Sequence, residues 1–295
     1  MIRKPGCMTN PFYVYEPGKP GLVTAMRRLR ECGYEIMDLN MCPMQRNACE
    51  LCEDDNWERF ADMIGEEAAR LGVTFVQSHP PYPKASTRRK TLYDPGCEYN
   101  EFFLRMMKRA LEIDARLGIP WAVMHPVSCA ENPDPDFESD LKFNVNYYAP
   151  LYEIGAARGV GFAFENMADV DGRRRFGATP DDLLAIVDAF PGEKKGVCWD
   201  TGHGNRQYID QLPALKKVAP LLVCTHIDDN VGEKDLHHLP FMGTAKWPEI
   251  MNVLRDSGYQ GGFIYEVSLF KNLPEPLKAP LARYAFEVAE HLLSL

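Results

Sequence analysis

The stretch Leu117–His125, with the sequence LGIPWAVMH, contains the repeating unit that decides the fold. Gly118 directly follows a run with the apolar spacing of a helix, and glycine is the usual residue for the left-handed turn that ends a helix. Trp121–Met124 is apolar throughout, as expected for a strand buried on both faces of a parallel sheet. His125 then places a polar side chain at the end of that strand.

The same alternation of helix and strand runs along the whole chain. Glycine also follows the helical patterns that end at Leu71, Arg158 and Ser257, and Thr179–Asp182 (TPDD) has the sequence of a helix N-terminus. The predicted strands are Gly6–Thr9, Tyr34–Leu39, Thr74–Ser78, Trp121–His125, Gly161–Glu165, Gly196–Asp200, Leu222–Ile227 and Phe263–Val267. The predicted helices are Leu22–Cys32, Trp57–Leu71, Tyr99–Leu117, Leu141–Ala157, Pro180–Phe190, Ile209–Lys217, Trp247–Ser257 and Ala279–Leu292.

Strict alternation of strands and helices fits either an open doubly wound sheet or a closed (β/α)8 barrel. An open sheet that binds nucleotides normally carries a glycine-rich phosphate loop after its first strand. Here Thr9–Val14 (TNPFYV) follows the first strand and contains no glycine. The number of strands also favours closure, and no linker or internal repeat divides the chain. We therefore predict an α/β fold, a single (β/α)8 barrel domain over residues 1–295, with its functional face at the carboxyl ends of the strands.

The composition excludes several classes of protein. Hydrophobic residues make up 45% and charged residues 25% of the 295 positions, which is typical of a globular protein. The 42 acidic and 33 basic residues give a formal charge of −9, which disfavours nucleic acid and anionic membranes as partners. No run approaches the ~18 apolar residues of a membrane span, and Met1–Pro5 leads into no apolar core of a signal peptide. We expect a cytoplasmic protein.

The nine cysteines do not indicate a disulfide framework, because their number is odd and no secretion signal precedes them. Cys42, Cys49 and Cys52 form a cluster that includes a C-x-x-C pair. A structural zinc site usually needs a second such pair, and the sequence contains none. We interpret the three residues as reduced loop thiols.

Polar side chains at the strand ends carry the functional signal. Six of the seven histidines lie at or just after a predicted strand end, and only His291 does not. Each of them alone would be read as an ordinary polar side chain. Burying ionised carboxylates, however, costs several kcal/mol each unless they are paired or bound to a metal ion. Because Glu165, Asp200 and Glu266 would meet at one mouth of the barrel, the sequence predicts a divalent-metal site built with histidines.

These strand ends belong to motifs that follow one another in a fixed order. They are Phe164–Glu165–Asn166, the D-x-x-H of Asp200–His203, His226, Asp235–Leu236–His237 followed by Pro240 and Gly243–Trp247, and Glu266. On these motifs the chain resembles the xylose-isomerase-like TIM barrel superfamily over essentially the whole barrel. That superfamily contains sugar phosphate isomerases and epimerases, inosose dehydratase and isomerase, and endonuclease IV.

The resemblance implies a divalent-metal-dependent isomerase or epimerase of a sugar, sugar phosphate or inosose, acting in carbohydrate metabolism. In the sugar-epimerase branch one metal ion is held by four residues, which match Glu165, Asp200, His226 and Glu266 here. Three carboxylates and one imidazole suit Mn²⁺, Co²⁺ or Mg²⁺, with Mn²⁺ favoured and Zn²⁺ also possible. The metal would stabilise an enediolate while Glu165 and Glu266 act as catalytic acid and base. The expected substrate-binding residues are His79, His125, His203, Asp235 and His237.

Two alternative functions remain open on the same residues. An enzyme like endonuclease IV would use three zinc ions held by nine ligands, and the chain offers a candidate for each of the nine. Against it, Asp228–Gly232 lacks the expected segment and Arg173–Arg175 is an isolated basic patch. A lyase, such as inosose dehydratase or a subunit of a C-glycoside deglycosidase, would begin with the same proton abstraction. A non-enzymatic sugar-binding protein is disfavoured because the four metal ligands are complete.

The expected partner is a small sugar, without a membrane, and a homo-oligomer is common in the resembled family. The sequence does not specify which sugar is bound. We assign specificity to the loops Cys42–Asp55, Pro80–Glu98 and Cys129–Asp140 and to aromatic residues such as Phe12, Tyr13, Tyr82 and Trp199, although Trp199 and Phe164 are equally explained as packing residues within strands.

Overall fold

The computed structural model describes residues 4–82, 97–128 and 136–295. Within these residues eight parallel strands alternate with helices, as the sequence predicts. The strands are β1 (Pro5–Met8), β2 (Ile36–Asn40), β3 (Thr74–His79), β4 (Trp121–Met124), β5 (Gly161–Glu165), β6 (Lys195–Asp200), β7 (Leu222–His226) and β8 (Phe263–Tyr265). The α-helices are α1 (Gly21–Glu31), α2 (Trp57–Leu71), α3 (Glu98–Leu117), α4 (Phe137–Ala157), α5 (Pro180–Asp188), α6 (Thr201–Gln207), α7 (Leu212–Val218), α8 (Trp247–Asp256) and α9 (Glu275–Ser294).

The strands pair in the order β7-β6-β5-β4-β3-β2-β1-β8, so that β7 and β8 form the two edges of the sheet. These edges meet through one bridge between Ile227 and Tyr265. There the Ile227 N–H donates to the Ile264 carbonyl at 2.7 Å, and the Glu266 N–H donates to the Ile227 carbonyl at 3.2 Å. The sheet is therefore a nearly closed barrel, and the predicted (β/α)8 fold is confirmed.

The barrel interior is apolar beneath the polar strand ends. Its floor contains two small clusters of buried side chains, and the larger core lies between the strands and the surrounding helices. Of the helices in the described ranges, none has both the length and the apolar character that a membrane crossing requires. The floor clusters are Val123, Ala163, Cys198 and Cys224, and Ile36, Val76 and Ile264.

An irregularity in the pairing of β2 with β3 changes which side chains enter the barrel. Met37 is opposite Phe75, but Asp38 is opposite Gln77, so the register skips Val76. An extra residue of this kind redirects the side chains that follow it, and such bulges are common beside active sites. Here the bulge places Gln77 next to Asp38.

The helix bounds differ from the prediction mainly at the beginnings of helices. α4 begins at Phe137 rather than Leu141, because the Asp136 side chain accepts a hydrogen bond from the Glu138 N–H and caps the helix. α9 begins at Glu275 rather than Ala279. The predicted helix Ile209–Lys217 begins only at Leu212.

The sequence did not predict α6. This helix contains Gly202 and Gly204, and glycine is unfavourable within a helix. Both glycines are nevertheless required, because neighbouring side chains leave no room for a Cβ atom. A Cβ atom at Gly202 would overlap Asp228, and one at Gly204 would overlap the Gln211 side chain. Asp200 begins the helix by accepting a hydrogen bond from the His203 N–H at 2.6 Å.

Candidate active site

Four side chains converge at the carboxyl ends of the last four strands. Glu165, Asp200 and His226 end β5, β6 and β7, and Glu266 directly follows β8. One possible ligand atom from each lies within 4.8 Å of the others. Three of them are completely buried, while the Glu266 side chain is 20% exposed. We call these four residues the inner cluster, and they are the predicted metal ligands.

The ring of His226 lies at the centre of the inner cluster. Its Nδ1 is 2.8 Å from Glu165 Oε1 and 2.8 Å from Glu266 Oε2. Its Nε2, on the opposite side, is 3.3 Å from Asp38 Oδ2. Burial alone would lower the pKa of His226, but its acidic neighbours, Cys198 followed by Glu266 and Glu165, raise it well above the ordinary value.

The two glutamates are ionised at neutral pH because the histidines beside them lower their pKa values. Burial raises the pKa of Glu165, but His125 and His226 outweigh burial and hold it well below its usual range. Burial also acts against ionisation of Glu266, yet His226 and then His237 bring its pKa down to about 2. Both carboxylates can therefore accept a proton.

Asp200 has a different environment. Burial and the neighbouring Asp228 raise the pKa of Asp200 well above its ordinary value. Its Oδ1 accepts the His203 N–H, but its buried Oδ2 has no hydrogen-bond partner in the described part of the chain. Either a proton on Asp200 or a bound cation would relieve the mutual repulsion of these carboxylates, which is costly in a buried site.

The inner cluster fits a divalent metal ion. Three carboxylates and one imidazole form an oxygen-rich donor set of the kind that Mn²⁺ or Mg²⁺ prefers. Across the described ranges, the ion pairs of Glu165, Asp200 and Glu266 are all with histidines rather than with lysine or arginine. A metal ion would supply the missing positive charge.

Two further histidines lie on one side of the inner cluster. His125 Nε2 is 2.6 Å from Glu165 Oε2 and 3.0 Å from His79 Nε2. His79 Nδ1 donates to the Pro80 carbonyl at 3.0 Å. Burial lowers the pKa of His125 to about 4, although the adjacent Glu165 carboxylate acts in the opposite direction. Tyr82 stacks on the His125 ring with their centroids 4.3 Å apart. We call His79 and His125 the histidine flank.

The remaining predicted site residues lie on the other side, and we call His203, Asp235 and His237 the outer cluster. His203 Nε2 and His237 Nε2 are each 3.3 Å from Asp235 Oδ2. His203 Nδ1 donates to the Asn166 carbonyl at 2.8 Å, and His237 Nδ1 donates to the Glu266 carbonyl at 3.0 Å. Burial lowers the pKa of His203, but Asp200 and Asp235 raise it to about 10. The structure thus brings all nine predicted site residues together.

Two buried carboxylates at the site were missed in the sequence. Asp38 lies in β2 and Asp228 follows β7, and neither is exposed. Asp228 Oδ2 is 3.5 Å from His237 Nδ1. Both residues could have been recognised from the sequence. Asp38 is an acidic residue between the apolar residues Met37 and Leu39, and Asp228 follows His226 by the two-residue period that returns a side chain to the same face.

The predicted specificity residues divide into two groups. Phe12 and Trp199 are buried in the core, where the Trp199 Nε1–H donates to Gln211 at 2.9 Å, and the Tyr13 hydroxyl donates to Glu50 at 2.8 Å. Tyr82 contacts the histidine flank. Parts of the predicted loops Pro80–Glu98 and Cys129–Asp140, namely residues 83–96 and 129–135, lie outside the described residues.

The cysteines of the described ranges are all free thiols, as predicted. Cys49 and Cys52 are buried rather than displayed on a loop surface. Cys42 lies nearer the site, with its Sγ 3.8 Å from the His79 carbonyl. In the described residues no cysteine joins a group of candidate metal ligands.

Residues 26–288 match the family described as xylose isomerase-like TIM barrel. The chain belongs to this family. An uncharacterized protein, y4fM, of Sinorhizobium fredii is 26% identical over 64% of this chain and 60% of its own length. An uncharacterized protein of Methanocaldococcus jannaschii is 26% identical over 58% of this chain and 56% of its own length. The matched segments therefore span less than two thirds of either relative.

Solved structures share the fold of this xylose isomerase-like barrel over nearly its whole length. A D-tagatose 3-epimerase-like protein has a TM-score of 0.75 at 19% identity, with 99% of this chain and 98% of that one covered. An L-ribulose 3-epimerase has a TM-score of 0.76 at 14% identity, with 100% and 95% covered. The IOLI protein with a bound zinc atom has a TM-score of 0.71 at 15% identity, with 99% and 98% covered.

Proposed function

We propose that the chain is a divalent-metal-dependent sugar isomerase or epimerase that transfers a proton next to a carbonyl group. The inner cluster is the observation that carries the proposal, because its four ligand atoms lie within 4.8 Å of one another. The epimerases among the structural neighbours support a sugar as the substrate, and the zinc-containing neighbour supports a metal ion.

Glu165, Asp200, His226 and Glu266 would hold the ion, with Mn²⁺ favoured by the donor set. A bound divalent ion polarises adjacent substrate oxygens and so makes the neighbouring C–H group more acidic. The protein then has to supply a base to remove that proton and an acid to return it.

Glu165 and Glu266 are the proposed acid–base pair. Both pKa values lie below neutral pH, so each residue can first accept a proton and then return it. Their access differs, since the Glu266 side chain is 20% exposed and the Glu165 side chain is 1% exposed. We therefore assign the first contact with an incoming substrate to Glu266. The histidine flank and the outer cluster would bind substrate hydroxyl groups.

A second candidate function is a trinuclear zinc phosphodiesterase. The specific observation in its favour is that the histidine flank converges on Glu165 Oε2, with His125 at 2.6 Å and His79 at 3.8 Å. The outer cluster likewise converges on Asp235 Oδ2. Each group has the residue types of a zinc site. A lyase of the inosose dehydratase type would use the inner cluster in the same way as an epimerase.

Metal content and substrate turnover together test the two candidates. The purified protein is loaded with Mn²⁺ or Zn²⁺, the bound metal is counted per chain, and keto-sugars are screened for interconversion of epimers. One metal ion per chain with turnover of a sugar supports the proposal. Three zinc ions per chain with cleavage of abasic-site DNA would replace it with the second candidate.

The roles of the two glutamates are tested by substitution in metal-loaded protein. Glu165→Gln and Glu266→Gln keep an oxygen for the metal but remove the proton acceptor, and loss of a general base typically costs ~10²–10⁴-fold in rate. In deuterated water a variant with one base left should still exchange hydrogen in one epimer without net conversion. Wild-type rates in both variants, with metal content confirmed, would contradict the two-base mechanism.

A further inference from the structure

We propose that Asp38 is a positioning residue that sets which nitrogen of His226 carries the hydrogen and thereby prepares that ring to bind the metal ion. This inference rests on the proposed metal site of the inner cluster. Asp38 lies on β2, which is not adjacent to β7 in the barrel. Its side chain is completely buried and contacts the edge of the His226 ring that carries Nε2, opposite the edge that faces the two glutamates.

Two contacts define the position of the Asp38 carboxylate. His226 Nε2 is 3.3 Å from Asp38 Oδ2, and Gln77 Nε2 donates to the same oxygen at 2.9 Å. Gln77 Nε2 also lies 3.3 Å from the Thr225 carbonyl, next to His226 in the chain. The three side chains therefore link β2, β3 and β7 inside the barrel. The bulge that skips Val76 brings Gln77 into this arrangement.

The hydrogen-bonding capacity of these groups determines the state of the ring. Asp38 Oδ2 accepts the hydrogen bond from Gln77 Nε2, so at this oxygen the carboxyl group acts as an acceptor. His226 Nε2 must therefore carry a hydrogen to bond with Asp38. In the neutral ring Nδ1 then presents its lone pair to Glu165 Oε1 and Glu266 Oε2, both 2.8 Å away. A lone pair facing two anionic oxygens is stable only when a cation lies among them.

Asp38 thus favours the form of His226 that has a free lone pair at the metal site. The other neutral tautomer of His226 would carry its hydrogen on Nδ1. Its Nε2 lone pair would then face the Asp38 carboxylate oxygen, and the two lone pairs would repel each other. Histidines that bind metals commonly donate their second ring nitrogen to a carboxylate, which fixes the ring and increases its basicity. Within the inner cluster His226 is the only imidazole, so its state affects the whole site.

Asp38→Asn tests the inference with little change in size. The amide oxygen would accept from Gln77, so the amide NH₂ would face His226 Nε2 and favour the hydrogen on Nδ1. Loss of such a partner typically weakens metal binding by about 10–100-fold. We expect this loss for Mn²⁺ in calorimetric titration of metal-free protein, with circular dichroism unchanged.

Asp114→Asn is the matched control. Asp114 is also a completely buried carboxylate, but it lies on α3 and its side chain accepts a hydrogen bond from Ser78 at 2.8 Å instead of contacting His226. This variant should bind Mn²⁺ within about twofold of the wild type, because no ligand of the inner cluster depends on it. An equal loss in both variants would attribute the effect to general destabilisation and overturn the inference.

A spectroscopic measurement separates positioning from a merely structural role. Protein labelled with ¹⁵N-histidine, free of metal, reports by two-bond ¹H–¹⁵N correlations which ring nitrogens carry hydrogen, and His226→Asn assigns the signal. We expect hydrogen on Nε2 of the wild type, whether or not the neighbouring glutamates also keep Nδ1 protonated, and an unprotonated Nε2 in Asp38→Asn. If Asp38→Asn does not fold, Gln77→Met removes the donor that holds Asp38, and it should weaken Mn²⁺ binding by about 3–10-fold.

The outcomes distinguish this inference from the proposed function. If the wild type does not bind Mn²⁺, or binds it equally after His226→Ala, the proposed metal site is wrong. If His226→Ala loses Mn²⁺ but Asp38→Asn keeps both the wild-type affinity and the hydrogen on Nε2, only the role of Asp38 is wrong. For Gln77→Met, unchanged Mn²⁺ affinity would equally contradict the inference.

Discussion

The inner and outer clusters contain the same kinds of side chain but are held in different ways. The inner residues Glu165, Asp200 and His226 are the last residues of paired strands. The outer residues lie on α6 and on the segment between β7 and α8, and the side chains of Asp235 and His237 are 27% and 23% exposed. Strand ends are fixed by the backbone hydrogen bonds of the barrel, whereas a loop can adapt. On this difference we base our proposal that the inner cluster binds the metal ion and the outer cluster contacts the substrate.

The backbone at His237 sharpens this contrast. Its φ is +46°, in the left-handed region that residues other than glycine seldom adopt. Such a conformation persists only where surrounding contacts hold it, and here the His237 ring donates to the Glu266 carbonyl. The segment that carries His237 therefore includes one residue in an unfavourable backbone conformation, which its contacts hold in place.

Asp229 anchors the loop of the outer cluster. Its Oδ2 accepts hydrogen bonds from the Phe241 N–H and the Gly243 N–H, both at 3.1 Å, and from Trp247 Nε1 at 2.9 Å. Its Oδ1 accepts the Ala245 N–H at 3.1 Å. One buried carboxylate therefore holds most of the segment that leads into α8.

The largest effect is expected from His226→Ala. Removing the only imidazole of the inner cluster leaves three carboxylates facing one another, and their repulsion opens the site. We expect the affinity for Mn²⁺ to fall by about 10³-fold, equivalent to about 4 kcal/mol, measured by calorimetric titration. His79→Ala, in the histidine flank, should retain Mn²⁺ within about tenfold. Equal losses would indicate a polynuclear site and remove the distinction between the clusters.

Asp229→Ala should have the next largest effect, on stability rather than on metal binding. It leaves the buried Trp247 Nε1–H and three part-buried backbone N–H groups without their acceptor, and we expect a loss of about 3 kcal/mol in the free energy of unfolding. Denaturant titration measures this loss, and Asp229→Asn should recover part of it because one oxygen remains. The Mn²⁺ affinity should change by less than about threefold. A large loss of Mn²⁺ would show that the inner cluster also depends on the loop.

The smallest effect concerns the pH dependence of the metal-free protein. The folded state raises the pKa of His203 to about 10, so its protonated ring stabilises the fold fully below its unfolded pKa of about 6.5. This contribution is lost as the pH rises from about 6.5 to about 10. We expect the Tm to fall over this range by about 2–4 °C more in the wild type than in His203→Gln. Identical pH profiles would mean that the outer cluster adds nothing to the stability.

Much of the barrel was predictable because its signals are local. Glycine after four of the predicted helices, apolar strands and polar strand ends can all be recognised within one segment, as in Leu117–His125. The inner cluster followed from the same rule, since the carboxyl ends of parallel strands meet at one face. The family resemblance added the order of the motifs and the assignment of the four ligands.

Asp38 and α6 were not predicted because their causes are not local. The direction of the Asp38 side chain depends on a register shift in which Val76 is skipped, and that shift involves two strands. α6 contains glycines that disfavour a helix, and only the closeness of Asp228 and Gln211 explains why they are needed. Both features arise from contacts between segments distant in sequence, which local patterns do not record.

If the inner cluster binds a metal ion as proposed, the narrow junction between β7 and β8 gives that binding a second consequence. His226 ends one of these strands and Glu266 follows the other, while the strands themselves are joined by a single bridge at Ile227 and Tyr265. An ion held by both residues would act as a cross-link over the thinnest part of the barrel wall. Metal binding would then stabilise the pairing of β7 with β8. The amide hydrogens of Ile227 and Glu266 would exchange more slowly with solvent in the metal-bound protein than in the metal-free protein.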